Sequence, residues 1–132
     1  MSDISIKASS KNITGKIVLT AGKSESNRAL LIKALCVDDF QINNLAIAKD
    51  TETMIRLLAS DGTIKDVGPA GTTMRFLTAY YAATAGEVVL TGSERMKNRP
   101  IKILVDALKQ IGAEITYMEK EGCPPLKISG KK

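Results

Sequence analysis

Histidine and tryptophan are absent, and the 132 residues include only five aromatics. Without histidine the chain has no imidazole base and no His-ligated zinc. The two cysteines, Cys36 and Cys123, stand far apart and outside any CxxC pattern. A disulfide framework is therefore not indicated, and a reducing, cytoplasmic setting is expected. Cys36 falls in an apolar helical run and reads as a small buried hydrophobe; Cys123 precedes Pro124 and Pro125 in a turn. No apolar run is long enough to span a membrane. The opening residues lack the basic and apolar regions of a secretory leader. Runs of basic residues are also missing, since the only adjacent pair is Lys131 and Lys132. With no aromatics interleaved among the basic residues, a nucleic-acid partner is not expected.

What remains is a globular composition, 44% apolar and 25% charged, with a net charge of +5. Aliphatic side chains and methionine must fill the core. The positive balance fits either an ordinary solvated surface or small acidic ligands.

Strand and helix patterns alternate along the chain. Residues 4–8 alternate apolar and polar and read as a strand, and strands are also expected over 15–20, 40–45, 63–67, 87–91, 113–118 and 126–129. Helices are expected from Ser24 as N-cap to Cys36, from Asp50 or Thr51 to Leu58, and from Met74 to about Ala83. A fourth starts near Asn98 and Pro100, carries Ile101, Leu104, Val105, Leu108 and Ile111 on one face, and ends at Gly112 as a C′ glycine. The first helix is apolar almost all round and is expected to be buried. This order predicts an α/β, layered α+β architecture.

Three segments combine glycine, small residues and basic side chains just before a helix. The first is Gly22 to Arg28. A helix N-terminus favours an anion, Lys23 adds a compact charge, and Arg28 lies one turn beyond Ser24 on the same face. It is not a P-loop: GxxxxGKS/T needs glycine five residues before Gly22, where Ile17 stands. The second is Gly71-Thr72-Thr73-Met74-Arg75, and the third is the basic loop holding Arg95, Lys97 and Arg99. Each alone also reads as a capped helix, a backbone-driven glycine turn or a solvated loop. Together they would make an anion pocket if the fold brings them to one end.

The stretches LTAGKSESNRALLIKAL, GPAGTTMRFLTA and LTGSERMKNRPIKILVDALKQIGAEI closely resemble three ordered segments of the EPSP synthase family. The resemblance runs from about Gly15 to the end. The SxSNR pattern with RMKxRP downstream separates it from the related UDP-N-acetylglucosamine enolpyruvyl transferases, whose reactive loop cysteine neither Cys36 nor Cys123 matches. The resemblance implies transfer of the enolpyruvyl group of phosphoenolpyruvate to the 5-hydroxyl of shikimate 3-phosphate, without metal or organic cofactor. It implies that Lys23 touches both substrates and stabilises charge at the reacting centre. Ser24 and Arg28 would hold shikimate 3-phosphate, while Gly71 and Arg95 would hold phosphoenolpyruvate, with glyphosate as a candidate competitor.

It also implies a two-domain fold of βαβαββ units, with residues 1–20 belonging to or crossing from the first domain and 21–132 forming part of the second. The family's acid/base carboxylates, its further phosphoenolpyruvate ligands and its serine-rich phosphate site would lie beyond Lys132. On that reading the chain supplies one wall of a cleft, is inactive alone and is prone to self-association, whereas the full enzyme is a monomer. Pro69 and Phe76 depart from the family, which often has Asn and Pro there, and the stretch between Leu58 and Gly68 is short. The alternative is a stand-alone module that binds small anions without catalysis.

Overall fold

The computed structural model describes residues 4–7, 12 and 14–130. In chain order the elements are α1 (Lys23–Leu35), α2 (Lys49–Leu58), β1 (Ile64–Asp66), α3 (Gly71–Ala82), β2 (Gly86–Thr91), α4 (Glu94–Lys97), α5 (Lys102–Gln110), β3 (Glu114–Tyr117) and β4 (Leu126–Gly130). The strands form one sheet in the order β1-β2-β4-β3. Strands β1 and β2 are parallel, and β4 is antiparallel to both β2 and β3. A parallel pair needs a crossover, which α3 supplies; a hairpin suffices for β3 and β4. With α4 set aside, residues 64–130 run βαβαββ.

Side-chain alternation decides which face carries the helices. Register aligns Val88 with Ile128 and Ile128 with Ile115, and Leu90 with Leu126. These residues pack with Met54, Leu57, Met74, Leu77 and Val105 in the core. Glu87, Lys127 and Ser129 point to the opposite face, where Lys127 Nζ lies 2.9 Å from the Glu87 carboxylate. The core is thus built from aliphatics and methionine, as the scarcity of aromatics requires.

One charged residue sits on the core face. Lys65 pairs across from Leu90 and is only 3% exposed. Its ammonium donates to the Leu57 carbonyl at 3.3 Å, the Ser60 hydroxyl at 2.6 Å and the Ser60 carbonyl. Lysine therefore caps the C-terminal end of α2, satisfying carbonyls that the helix leaves unpaired. Burial holds its pKa below the ordinary lysine value. Tyr81 shares the arrangement: its hydroxyl donates to the Leu57 carbonyl at 3.2 Å, and its ring centroid lies 5.7 Å from Lys65 Nζ.

Burial, and secondarily the neighbouring Tyr80, pushes the Tyr81 phenol up to about 12. The folded chain therefore keeps a proton that the unfolded chain releases near pH 10, so this contribution is complete below about pH 10 and fades between pH 10 and 12. Lys65, with its lowered value, acts in the opposite sense below its unfolded pKa. Tyr81→Phe should lose about 1 kcal/mol at neutral pH and flatten the alkaline fall in stability. Urea titrations of both proteins from pH 8 to 12 check this, and parallel profiles would contradict it.

Several expected elements move. The predicted strands over 4–8, 15–20 and 40–45 do not form among the described residues, and residue 8 lies outside them. A strand needs a neighbour for its amides, and Ile17, Val18 and Leu19 instead stand exposed. Asn44 takes φ 57°, which breaks the third run.

Helix α1 is not buried all round: Ile32 and Leu35 are 57% and 56% exposed, and Cys36 is exposed as well. Only Ser26, Asn27 and Leu30 are buried, because among the helices and strands α1 packs chiefly against α2 and α3.

Helix starts also shift. Gly22 rather than Ser24 is the N-cap of α1, Ala48 rather than Asp50 or Thr51 precedes α2, and α3 begins at Gly71 rather than Met74. Ser93 caps the short α4 by accepting from the Met96 amide at 3.3 Å. Asn98 then ends α4, and Ile101 precedes α5. Gly112, at φ 96°, follows the last helical residues where a C′ glycine was expected. Among the described residues no helix is long and apolar enough to cross a membrane.

Candidate functional site

The N-termini of three helices come together. Gly22 is in extended conformation and α1 has no side-chain cap, so its first amides are free to meet a ligand. The Glu25 side chain folds back over Gly22, with its Oε2 3.2 Å from where a Cβ would stand. The Glu25 carboxylate thus lies beside Gly22 without capping the helix. Lys23, the first residue of that helix, reaches Asp50 on α2 at 3.5 Å. The Asp50 main-chain carbonyl in turn accepts from the Thr73 hydroxyl of α3 at 3.0 Å. Asp50 therefore ties α1 and α3 to one point.

Along α1, Arg28 donates to the Ser24 carbonyl at 3.2 Å, and its guanidinium carbon lies 5.7 Å from the Phe76 ring centroid on α3. Ser24 is exposed. Asn27, between them and on the inner side, is fully buried with neither amide atom hydrogen-bonded, and the Thr51 hydroxyl is similarly unpaired. Orphaned groups of this kind each cost about 1–3 kcal/mol.

The start of α3 is shaped by two adjoining turns. Gly68, at φ 55°, takes the left-handed conformation that glycine tolerates, and its amide donates to Asp66 Oδ1 at 2.7 Å. Its carbonyl accepts from the Ser93 amide at 3.1 Å, which docks the β2–α4 turn against the α3 turn. Ala70 precedes α3 without a side-chain cap, and no acidic residue lies in the first turn. Gly71 is the first helical residue, so the backbone reason for a glycine there does not apply. Its bare Cα instead makes room for Arg99, whose guanidinium would collide with a Cβ.

Pro69, Ser93, Arg95, Met96 and Arg99 line a cleft of about 170 Å³ at this junction. Of the three basic residues in the loop, Lys97 is committed to Glu119 at 3.2 Å and Glu94 at 3.5 Å. Glu119, more than Glu94, holds its pKa above the ordinary lysine value. Among the described residues the side chains of Arg95 and Arg99 have no hydrogen-bond or ion-pair partner.

Fold contacts thus connect the expected residues in two groups. Gly71 and Arg95 meet through the Gly68–Ser93 hydrogen bond, while Lys23 reaches the first turn of α3 through Asp50 and Thr73. Lys23, Ser24 and Arg28 are not walls of the Arg95 cleft. Sequence reasoning gave no individual ligand role to Arg99 or Asn27 and read Asp50 only as a helix cap. For Arg99 the signal was present in the basic cluster; for Asp50 and Asn27 it is tertiary. Among the described residues no three acidic, Cys or His side chains converge as a metal site would require.

The family model for EPSP synthase (3-phosphoshikimate 1-carboxyvinyltransferase) matches residues 7–62 and 56–132. The chain belongs to the EPSP synthase family. The 3-phosphoshikimate 1-carboxyvinyltransferase of Bacteroides fragilis strain YCH46 is 50% identical over 119 residues, which cover 90% of this chain and 29% of that one. Its counterpart from Colwellia psychrerythraea is 43% identical over 145 residues, 90% of this chain and 34% of that one. The solved EPSP synthase of Acinetobacter baumannii superimposes with a TM-score of 0.79 at 20% identity, over 88% of this chain and 32% of that one. The fold is therefore that of an EPSP synthase segment, and the chain spans about a third of the length of the curated relatives it matches.

Proposed function

We propose that this chain is one wall of the substrate cleft of an enolpyruvyl transferase that joins phosphoenolpyruvate to the 5-hydroxyl of shikimate 3-phosphate and releases phosphate. In this reading residues 1–20 belong to or cross from a first domain, and residues 21–132 form part of a second. Lys23, Ser24 and Arg28 receive shikimate 3-phosphate. Lys23, Gly71 and Arg95 receive phosphoenolpyruvate, and Lys23 offsets charge that develops at the reacting centre. The observation that carries the reading is the meeting of the α1, α2 and α3 N-termini around Lys23 and Asp50. Both substrates are polyanions, and uncapped helix starts flanked by Lys and Arg suit them.

Among the described residues the carboxylates beside Lys23 are already placed: Asp50 is engaged by Lys23, and Glu25 folds over Gly22. The chain alone should therefore bind without turning over. The exposed Ile32 and Leu35 on α1 favour self-association of the isolated chain.

Amide NMR of the chain titrated with shikimate 3-phosphate tests the reading. Saturable shifts centred on Lys23, Ser24 and Arg28 are expected, stronger than those from inorganic phosphate. Equal responses to both would favour an unspecialised anion-binding module. No response from a folded sample would refute the preformed half-site, and measurable turnover would refute inactivity.

A further inference from the structure

We infer that Arg99 is a second guanidinium ligand for the anion held at the start of α3, acting beside Arg95. The inference rests on the reading above and adds a residue to it.

Three observations converge. First, the Arg99 guanidinium lies directly over Gly71, with its Cζ 3.0 Å from where a Cβ would stand. Gly71 is helical and needs no special φ, so the missing side chain serves the close approach of Arg99. Second, Arg95 and Arg99 line the same cleft, and among the described residues neither side chain has a polar partner. Two like charges brought to one small cleft repel each other, and an anion between them relieves that cost. Third, α3 begins there with neither a side-chain cap nor an acidic residue in its first turn. Its free amides favour the same sign of ligand.

The neighbouring arginine has a different task. Arg75 donates to the Pro100 carbonyl at 3.1 Å and so fixes the turn that carries Arg99. Lys97 is occupied by Glu119 and Glu94. The free receivers at this cleft are therefore two planar forks. Each fork can grip a carboxylate or phosphoryl group in bidentate fashion. Together they suit a compact acid bearing one of each, which is the chemistry of phosphoenolpyruvate.

Phosphoenolpyruvate titrations of the chain, followed by amide and arginine side-chain NMR, test the inference with native protein, Arg99→Lys and Arg99→Met. Arg99→Met keeps bulk over Gly71 but removes the charge. It should weaken phosphoenolpyruvate binding roughly tenfold, with shikimate 3-phosphate binding and thermal stability unchanged. Arg99→Lys should recover part of the loss. A purely structural roof over Gly71 would be served by methionine as well. Native-like affinity in Arg99→Met, or equal losses in both variants, overturns the inference. If the native chain binds shikimate 3-phosphate but not phosphoenolpyruvate, the inference falls and the Lys23 half-site stands. If it binds neither, both fall.

Discussion

Lys23→Ala should weaken shikimate 3-phosphate binding on the order of 100-fold while leaving the fold intact. Two unequal terms set that expectation. In the free chain Lys23 pairs with Asp50 at 3.5 Å, with 46% of its side chain exposed. A pair that open contributes no more than about 1 kcal/mol to folding. Against a phosphate the same ammonium makes a charge-assisted hydrogen bond beside free helix amides, worth up to about 3 kcal/mol. The variant also leaves Asp50 as an unopposed negative charge beside the anion. Calorimetric titration together with thermal melts separates the terms. An affinity within twofold of native would remove Lys23 from the site.

Gly92→Ala should cost about 3 kcal/mol of stability. A Cβ at that position would stand 2.6 Å from the Gly68 carbonyl oxygen and 2.8 Å from Met96 Cγ. The first obstacle is backbone and cannot rotate away. It is also held in place, because the same oxygen accepts from Ser93 and the Gly68 amide is fixed by Asp66. The buried Met96 leaves no room on the other side. Relief requires the α3 turn and the β2–α4 turn to part, which would separate Gly71 from Arg95. Loss of phosphoenolpyruvate binding should therefore accompany the loss of stability. Urea unfolding that shows less than about 0.5 kcal/mol would contradict this close approach.

The second half of the chain was the more legible in sequence. Strands β2, β3 and β4 and the end of α5 lie near the expected places because their signals are local. Glycine at 86 and 112, alternation through 126–130 and a helical stripe ending at Ile111 act within a few residues of themselves. The strands expected in the first 45 residues misled for the converse reason, although α1 formed where it was expected. The apolar run at 17–19 announces a strand, but strand formation depends on a partner that sequence spacing does not name. Caps failed where two candidates competed: Ser93 won the N-terminus of α4, so Asn98 became its end.

In the site, glycine before basic residues at helix starts marked Lys23, Gly71 and Arg95, and family resemblance supplied their expected roles. The seat of Arg99 over Gly71 and the span from Lys23 to Asp50 to Thr73 join residues more than twenty positions apart. No local pattern encodes such contacts. Lys65 illustrates the same gap, since a lysine in an edge strand reads as solvent-facing until its register opposite Leu90 is known.

Asp50 holds Lys23 with its carboxylate and Thr73 with its carbonyl. An anion that draws Lys23 away would free the Asp50 carboxylate, whose main-chain carbonyl also moors α3. On the proposed reading both half-sites lean on Asp50, so ligands at the two would be thermodynamically linked. Whatever factor the first ligand applies to the affinity of the second, the second returns to the first.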